Sequence, residues 1–178
     1  MVTIIEGIDR VGKSTLANKI AEETGQKIIK YNDWLFMRNE EKDTNNEAEK
    51  SSMMLQIIKQ FDLNCIIDRL YISDYVYGKM ERNYEEKGAE NCLDNLYALN
   101  ALLSTMKNEV IFIIPNDIKE VEDCAAEHGR DLIRHNLLFM KAYEKCKLSN
   151  LNVKKIPCKI NPENVDEIYE QFVKGVDK

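Results

Sequence analysis

The stretch Glu6-Gly7-Ile8-Asp9-Arg10-Val11-Gly12-Lys13-Ser14-Thr15 decides the fold. From Gly7 onward it fits G-x-x-x-x-G-K-[ST], and it stands between the apolar run Val2 to Ile5 and the helix-patterned segment Lys13 to Thr24. A strand, a glycine turn and a helix in that order make a phosphate cradle. The backbone N–H groups along Gly7, Ile8, Asp9, Arg10, Val11 and Gly12 turn inward toward phosphate oxygens, and the helix N-terminus adds partial positive charge. Lys13 then neutralises β/γ-phosphate charge, while the Ser14 hydroxyl, next to Thr15, is placed to hold a Mg²⁺ bridging those phosphates. The bland alternative is a chance glycine turn capping a helix. Having both flanking elements in register argues against it.

Working outward, the apolar runs Lys27 to Tyr31, Cys65 to Ile67, Val110 to Ile114 and Val153 to Pro157 join Val2 to Ile5 as strand candidates. They are continuous in Ile and Val rather than alternating, as suits strands buried on both faces of a parallel sheet. Between them lie helix-patterned segments: Lys13 to Thr24, Glu47 to Leu63, Ile72 to Glu86, Asn91 to Lys107, Asp117 to Glu127, Asp131 to Lys147 and Pro162 to Lys174. The expected architecture is a three-layer α/β/α fold with a five-stranded parallel sheet, all in one domain over 1–178. Gly25 is a good stop for the first helix, and the polar run Arg38 to Glu49 reads as an exposed loop.

Composition narrows the function classes. The 178 residues suit one domain, and a net charge of −6 offers a long polyanion no electrostatic welcome, so no nucleic-acid polymer is expected as a partner. No apolar run approaches the roughly 20 residues of a membrane span, and the N-terminal run is too short for a signal peptide. With the five cysteines spread singly and read as reduced packing thiols, a cytoplasmic location is expected. The helix-patterned Asn91 to Lys107, with Leu93, Leu96, Leu99, Leu102 and Leu103, is apolar enough to serve as a homodimer face as well as a core face.

A second constellation closes the third strand candidate: Ile66-Ile67-Asp68-Arg69-Leu70-Tyr71-Ile72-Ser73-Asp74-Tyr75-Val76-Tyr77-Gly78. Asp68 is expected at the carboxyl edge of the sheet beside the cradle, where it holds Mg²⁺ through water or orients the acceptor, and Arg69 offers a planar fork to bridge donor and acceptor phosphates. Taken singly, either residue also reads as a helix cap or a surface charge. Together with the cradle, whose Asp9 and Arg10 most phosphate loops do not need, the chain resembles the thymidylate kinases, in particular the branch with an arginine inside the P-loop. The resemblance implies the P-loop kinase form of that three-layer fold, with a short lid at about 117–134, and phosphoryl transfer from ATP with Mg²⁺ to a nucleoside monophosphate. It gives Arg10 contact with the transferred phosphoryl group and Asp9 the acceptor sugar hydroxyl. It assigns Asp68-Arg69-x-x-x-Ser73 to the acceptor side, Tyr77 to the neighbourhood of the base, and Arg130, in the lid-like segment from Asp117 to Asp131, to closure over ATP. His128 and His135, unpaired on or beside a polar segment, read as solvated and receive no role.

The substrate-selecting region departs from that family. Where thymidylate kinases place an arginine beside a proline after the second strand, this chain reads Lys30-Tyr31-Asn32-Asp33-Trp34-Leu35-Phe36-Met37-Arg38, with Arg38 the only nearby arginine, and the next helix candidate has none through Ile57. Asp33-Trp34 is similar instead to the deoxynucleoside kinases, whose Glu-Arg-Ser stretch also resembles Asp68-Arg69 and in which a carboxylate accepts the proton of the sugar 5′-hydroxyl. A hydroxyl acceptor benefits from a base such as Asp33, whereas a phosphate acceptor needs cations such as Arg38. Both acceptors stay open, as does a third class, a P-loop protein that binds nucleotide without catalysis.

Overall fold

The structure is a computed structural model that describes residues 1–30, 44–81, 86–115, 117–128, 131–160 and 165–174. In chain order its elements are β1 (Val2–Glu6), α1 (Lys13–Thr24), β2 (Lys27–Lys30), α2 (Thr44–Gln60), β3 (Cys65–Asp68), α3 (Tyr71–Glu81), α4 (Glu86–Ser104), β4 (Asn108–Pro115), α5 (Ile118–His128), α6 (Leu132–Leu148), β5 (Val153–Cys158) and α7 (Val165–Lys174).

The five strands form one parallel sheet in the order β2-β3-β1-β4-β5. β1 therefore sits at the centre, with β3 on one side and β4 on the other, and the chain switches direction across it. In open α/β sheets that switch point, at the carboxyl ends of the strands, is where ligands bind. All of β1 is buried, as is β4 from Glu109 onward, so the expected Ile- and Val-rich runs lie in the interior between helical layers. Phe112 and Ile111 of β4 and Ile4 and Ile5 of β1 are fully buried, each stabilising the fold by about 1.5–3 kcal/mol relative to exposure. The outer strands differ. β2 exposes Lys27 and Lys30 at its two ends, and β5 carries half-buried Lys154 and Lys155 and brings Pro157 opposite Ile114.

The first helix ends as its sequence suggests. Gly25 takes φ 71°, a left-handed conformation, and its N–H bonds the Ala21 carbonyl at 2.9 Å. Two helix starts differ from expectation. α2 begins at Thr44, so the polar run expected to be loop as far as Glu49 is helical over its last part, and α4 begins at Glu86 rather than Asn91. In both places the added turn lacks an apolar period but is rich in residues that suit a solvated first turn. α3 is described as far as Glu81, and its expected continuation toward Glu86 falls on residues 82–85, outside the described residues. Of the leucines expected to serve a core face as well as a homodimer face, Leu96, Leu99 and Leu103 are buried within the chain and Leu93 and Leu102 are half-buried, while Tyr97 is exposed on α4. Cys65, Cys124, Cys146 and Cys158 are free and buried, and burial pushes the Cys65 thiol up to about 11 and those of Cys146 and Cys158 up to about 12. Packing thiols are what those values describe.

Candidate active site

Two turns leave neighbouring strands at the same edge of the sheet. Parallel pairing sets Ile5 opposite Asp68, so the loop that leaves β1 and the turn that leaves β3 emerge side by side. In the first, Gly7 takes φ 147°, and a Cβ there would strike the carbonyl oxygen of Ile113 on β4. Only glycine lets the loop lie that close to the sheet. Arg10 at φ 69° and Gly12 at φ 80° then curl the backbone, and Gly12 starts α1 with its carbonyl accepting from Leu16 N at 2.9 Å. A left-handed arginine costs about 1–2 kcal/mol, a strain typical of functional turns.

Lys13 points back into this curl, buried, with Nζ donating to the carbonyl of Ile8. Burial, with Arg69 reinforcing it, lowers the Lys13 ammonium to about 8, while Asp9, Asp68 and Glu6 pull the other way. Ser14, exposed at the start of α1, donates from Oγ to Asp68 Oδ2 at 2.6 Å. The two groups read as metal ligands thus already share one spot, and together with phosphate and water oxygens they can complete the octahedral shell Mg²⁺ demands. Among the described residues no cluster of three His, Cys, Asp or Glu side chains competes as a metal site.

The second turn is built around Arg69, which is also left-handed, at φ 68°. Its guanidinium pairs with Asp9 of the first turn and lies 5.3 Å over the Tyr77 ring. Burial works against its charge, but Tyr77 and Asp9 outweigh it and hold Arg69 above its usual range. Tyr77 is in turn packed against His135 at 4.9 Å and Phe139 at 6.0 Å between ring centroids. Here one expectation fails. His135 is buried, not solvated, with Nδ1 2.7 Å from the Asp131 carbonyl, because α6 packs on α3 and turns that position inward.

The structure thus brings together Gly7 to Thr15, Asp68, Arg69 and Tyr77. Ser73, expected to face the acceptor, is buried and donates to Glu6 at 2.5 Å. Asp33, Trp34, Arg38 and Arg130 lie outside the described residues. Sequence reasoning missed Glu6 itself. Fully buried at the end of β1, it accepts from Leu70 N at 2.9 Å through Oε1, and burial pushes its carboxyl up to about 7 against the pull of Ser73, Leu70 and Arg69. The available signal was an acidic residue ending an otherwise apolar strand.

No family model and no curated protein sequence matches the chain. Solved structures do. The YorR protein of Bacillus subtilis in complex with phosphorylated GDP is 20% identical, with a TM-score of 0.63 over 98% of this chain and 94% of that one. Deoxyadenosine kinase from M. mycoides with bound dATP is 19% identical, with a TM-score of 0.58 over 98% of each chain. Thymidylate kinase from Ehrlichia chaffeensis is 14% identical, with a TM-score of 0.58 over 98% of this chain and 97% of that one. The chain has the fold of these proteins. No described helix is long and apolar enough to cross a membrane.

Proposed function

We propose that the protein is a cytoplasmic ATP- and Mg²⁺-dependent nucleotide kinase of thymidylate kinase type, with an arginine in its P-loop, that phosphorylates a (deoxy)nucleoside monophosphate. The observation that carries this reading is the cross-linking of two turns: Ser14 is bonded to Asp68, and Asp9 to Arg69. A protein that only binds nucleotide needs the cradle but has no use for an acidic and a basic residue held against it from the next strand.

In this reading the backbone from Gly7 to Gly12 and the Lys13 ammonium bind the donor phosphates. Lys13 exchanges its bond to the Ile8 carbonyl for phosphate oxygens, which favour its charged form. Ser14 and Asp68 would hold Mg²⁺, which supplies charge neutralisation across the β- and γ-phosphates. Arg10 spreads its charge over the equatorial oxygens of the transferred group, an arginine finger supplied in cis. Arg69 spans donor and acceptor phosphates, Asp9 takes the acceptor sugar hydroxyl, Tyr77 flanks the base, and Arg130 closes over ATP. Asp33, Trp34 and Arg38 select the acceptor.

A deoxynucleoside kinase is the second reading, favoured by Asp33-Trp34. A coupled assay of ATP consumption, run across the deoxynucleosides and their 5′-monophosphates, separates the possibilities. Turnover with a monophosphate is the expected result. Turnover with nucleosides alone transfers the assignment to the second reading, and ATP binding without turnover on any acceptor overturns both.

A further inference from the structure

Glu6 has no place in the phosphate chemistry, yet it is a fully buried acidic side chain at the edge of the sheet that carries the site. Both of its oxygens are committed: Oε1 to the Leu70 N–H at 2.9 Å and Oε2 to the Ser73 hydroxyl at 2.5 Å. The residue before it in the chain, Ile5, accepts the Arg69 N–H at 3.2 Å. Consecutive N–H groups of the second turn, those of Arg69 and Leu70, are thus anchored on consecutive residues of β1, and Arg69 between them is held at φ 68°.

An arginine relaxes out of the left-handed region unless its surroundings over-determine it. Returning Arg69 to negative φ would rotate the following peptide and swing the Leu70 N–H away from Glu6. The Ser73 bond resists that motion a second time, one turn into α3. Because β1 runs straight into the cradle, the group that fixes the turn sits on the same rigid strand as the loop that binds phosphate. The Arg69–Asp9 pairing follows from this: the guanidinium is aimed at the cradle by backbone geometry set from beneath.

We propose that Glu6 is a positioning residue, a buried anchor that holds the Asp68-Arg69-Leu70 turn in its left-handed form and so aims the Arg69 guanidinium at the reacting phosphates. This assignment of purpose rests on the kinase reading above. The anchoring itself does not. Glu6 never touches substrate, so the effect assigned here to the anchor must pass through Arg69.

That requirement gives the test, a double-mutant cycle on the full chain with the acceptor the wild type turns over best. Glu6→Ala is expected to lower kcat about 10²-fold, the scale of an ångström-sized misplacement, with the KM for ATP within about threefold of wild type. Arg69→Ala should lower it at least as much, and the double variant should be no slower than Arg69→Ala alone. Losses that multiply in the double variant would overturn the proposal. In parallel, solvent exchange of the Arg69 Nε–H, followed by ¹⁵N NMR without any ligand, should quicken at least tenfold in Glu6→Ala, and unchanged exchange would likewise overturn it. If the wild type phosphorylates no acceptor, the kinase reading falls and the exchange rates alone decide the anchor. Should Glu6→Ala not fold, Glu6→Met, which keeps the length and volume of the side chain but has no oxygen to accept from the Leu70 N–H or the Ser73 hydroxyl, takes its place in the cycle and the exchange measurement, with the same signs expected.

Discussion

Two arginines in this protein share one backbone conformation and little else. Arg10 and Arg69 sit at φ 69° and φ 68° in adjacent turns, but Arg69 is pinned at its N–H, at the N–H that follows it and at its guanidinium, whereas Arg10 is exposed and its side chain has no partner among the described residues. Equal strain is thus balanced in two ways. At Arg69 the protein itself supplies the compensation, which makes the turn part of the scaffold. At Arg10 no compensation comes from the side chain, and the proposed function gives that charge to the transferred phosphoryl group.

Replacing Arg10 by the residue that favours its conformation separates activity from stability. Arg10→Gly should lower kcat by about 10³-fold or more with little change in ATP affinity, because the contact matures in the transition state. Its stability in urea should hold or rise by up to about 1 kcal/mol, since glycine takes positive φ freely but costs more entropy on folding. A variant that loses ATP affinity but keeps its kcat breaks the comparison and makes Arg10 a ground-state binder.

The next effect sharpens what the cradle does without either arginine. Lys13→Ala should cost about 10²–10³-fold in kcat/KM, the scale of one fixed donor to a developing charge, while the circular dichroism spectrum stays native. Turnover within about tenfold of wild type would remove Lys13 from the chemistry.

Smaller still is the effect that decides the acceptor opposite Arg69. With a monophosphate, Arg38→Ala should raise the acceptor KM by about 10–100-fold, as expected for the loss of a hydrogen bond to a charged group. With a nucleoside the loss moves to Asp33→Ala and appears in kcat. Steady-state kinetics of both variants with thymidine and with its monophosphate distinguish these patterns.

The smallest effect probes the anchor under Arg69. The Glu6 carboxyl sits at about 7 in the fold against an ordinary 4.5, so between those values the folded chain binds the proton more tightly than the unfolded one. Stability must then fall as pH rises through that window and level off above it. Arg69, which stays charged throughout, and Asp74 act on Glu6 with opposite signs. Urea midpoints at pH 5 and pH 8 should show wild type losing about 1–3 kcal/mol more than Glu6→Gln over the interval. An identical pH dependence in the two proteins would mean that the carboxyl titrates normally.

The legible parts of this molecule are those whose cause is local. The Ile and Val runs mark strands because burial on both faces demands them, and the glycine-lysine signature marks the cradle because backbone and phosphate geometry leave few other solutions. Helix starts at Thr44 and Glu86 were not legible, since polar first turns carry no apolar period. Nor was the Glu6 anchor, which joins residues 64 and 67 positions apart and exists only once β1 and β3 are paired. His135 shows the same limit: its burial follows from the packing of α6 on α3, not from its neighbours in the chain.

The outer strands have a consequence for how this chain behaves at high concentration. A sheet edge presents unpaired N–H and C=O groups and invites another chain to add itself. Here one edge strand is only four residues long with an exposed lysine at each end, and the other carries two lysines and Pro157, which has no N–H to offer a newcomer. The ladder that supports the two turns of the candidate site is therefore guarded at both margins against aggregation and strand exchange.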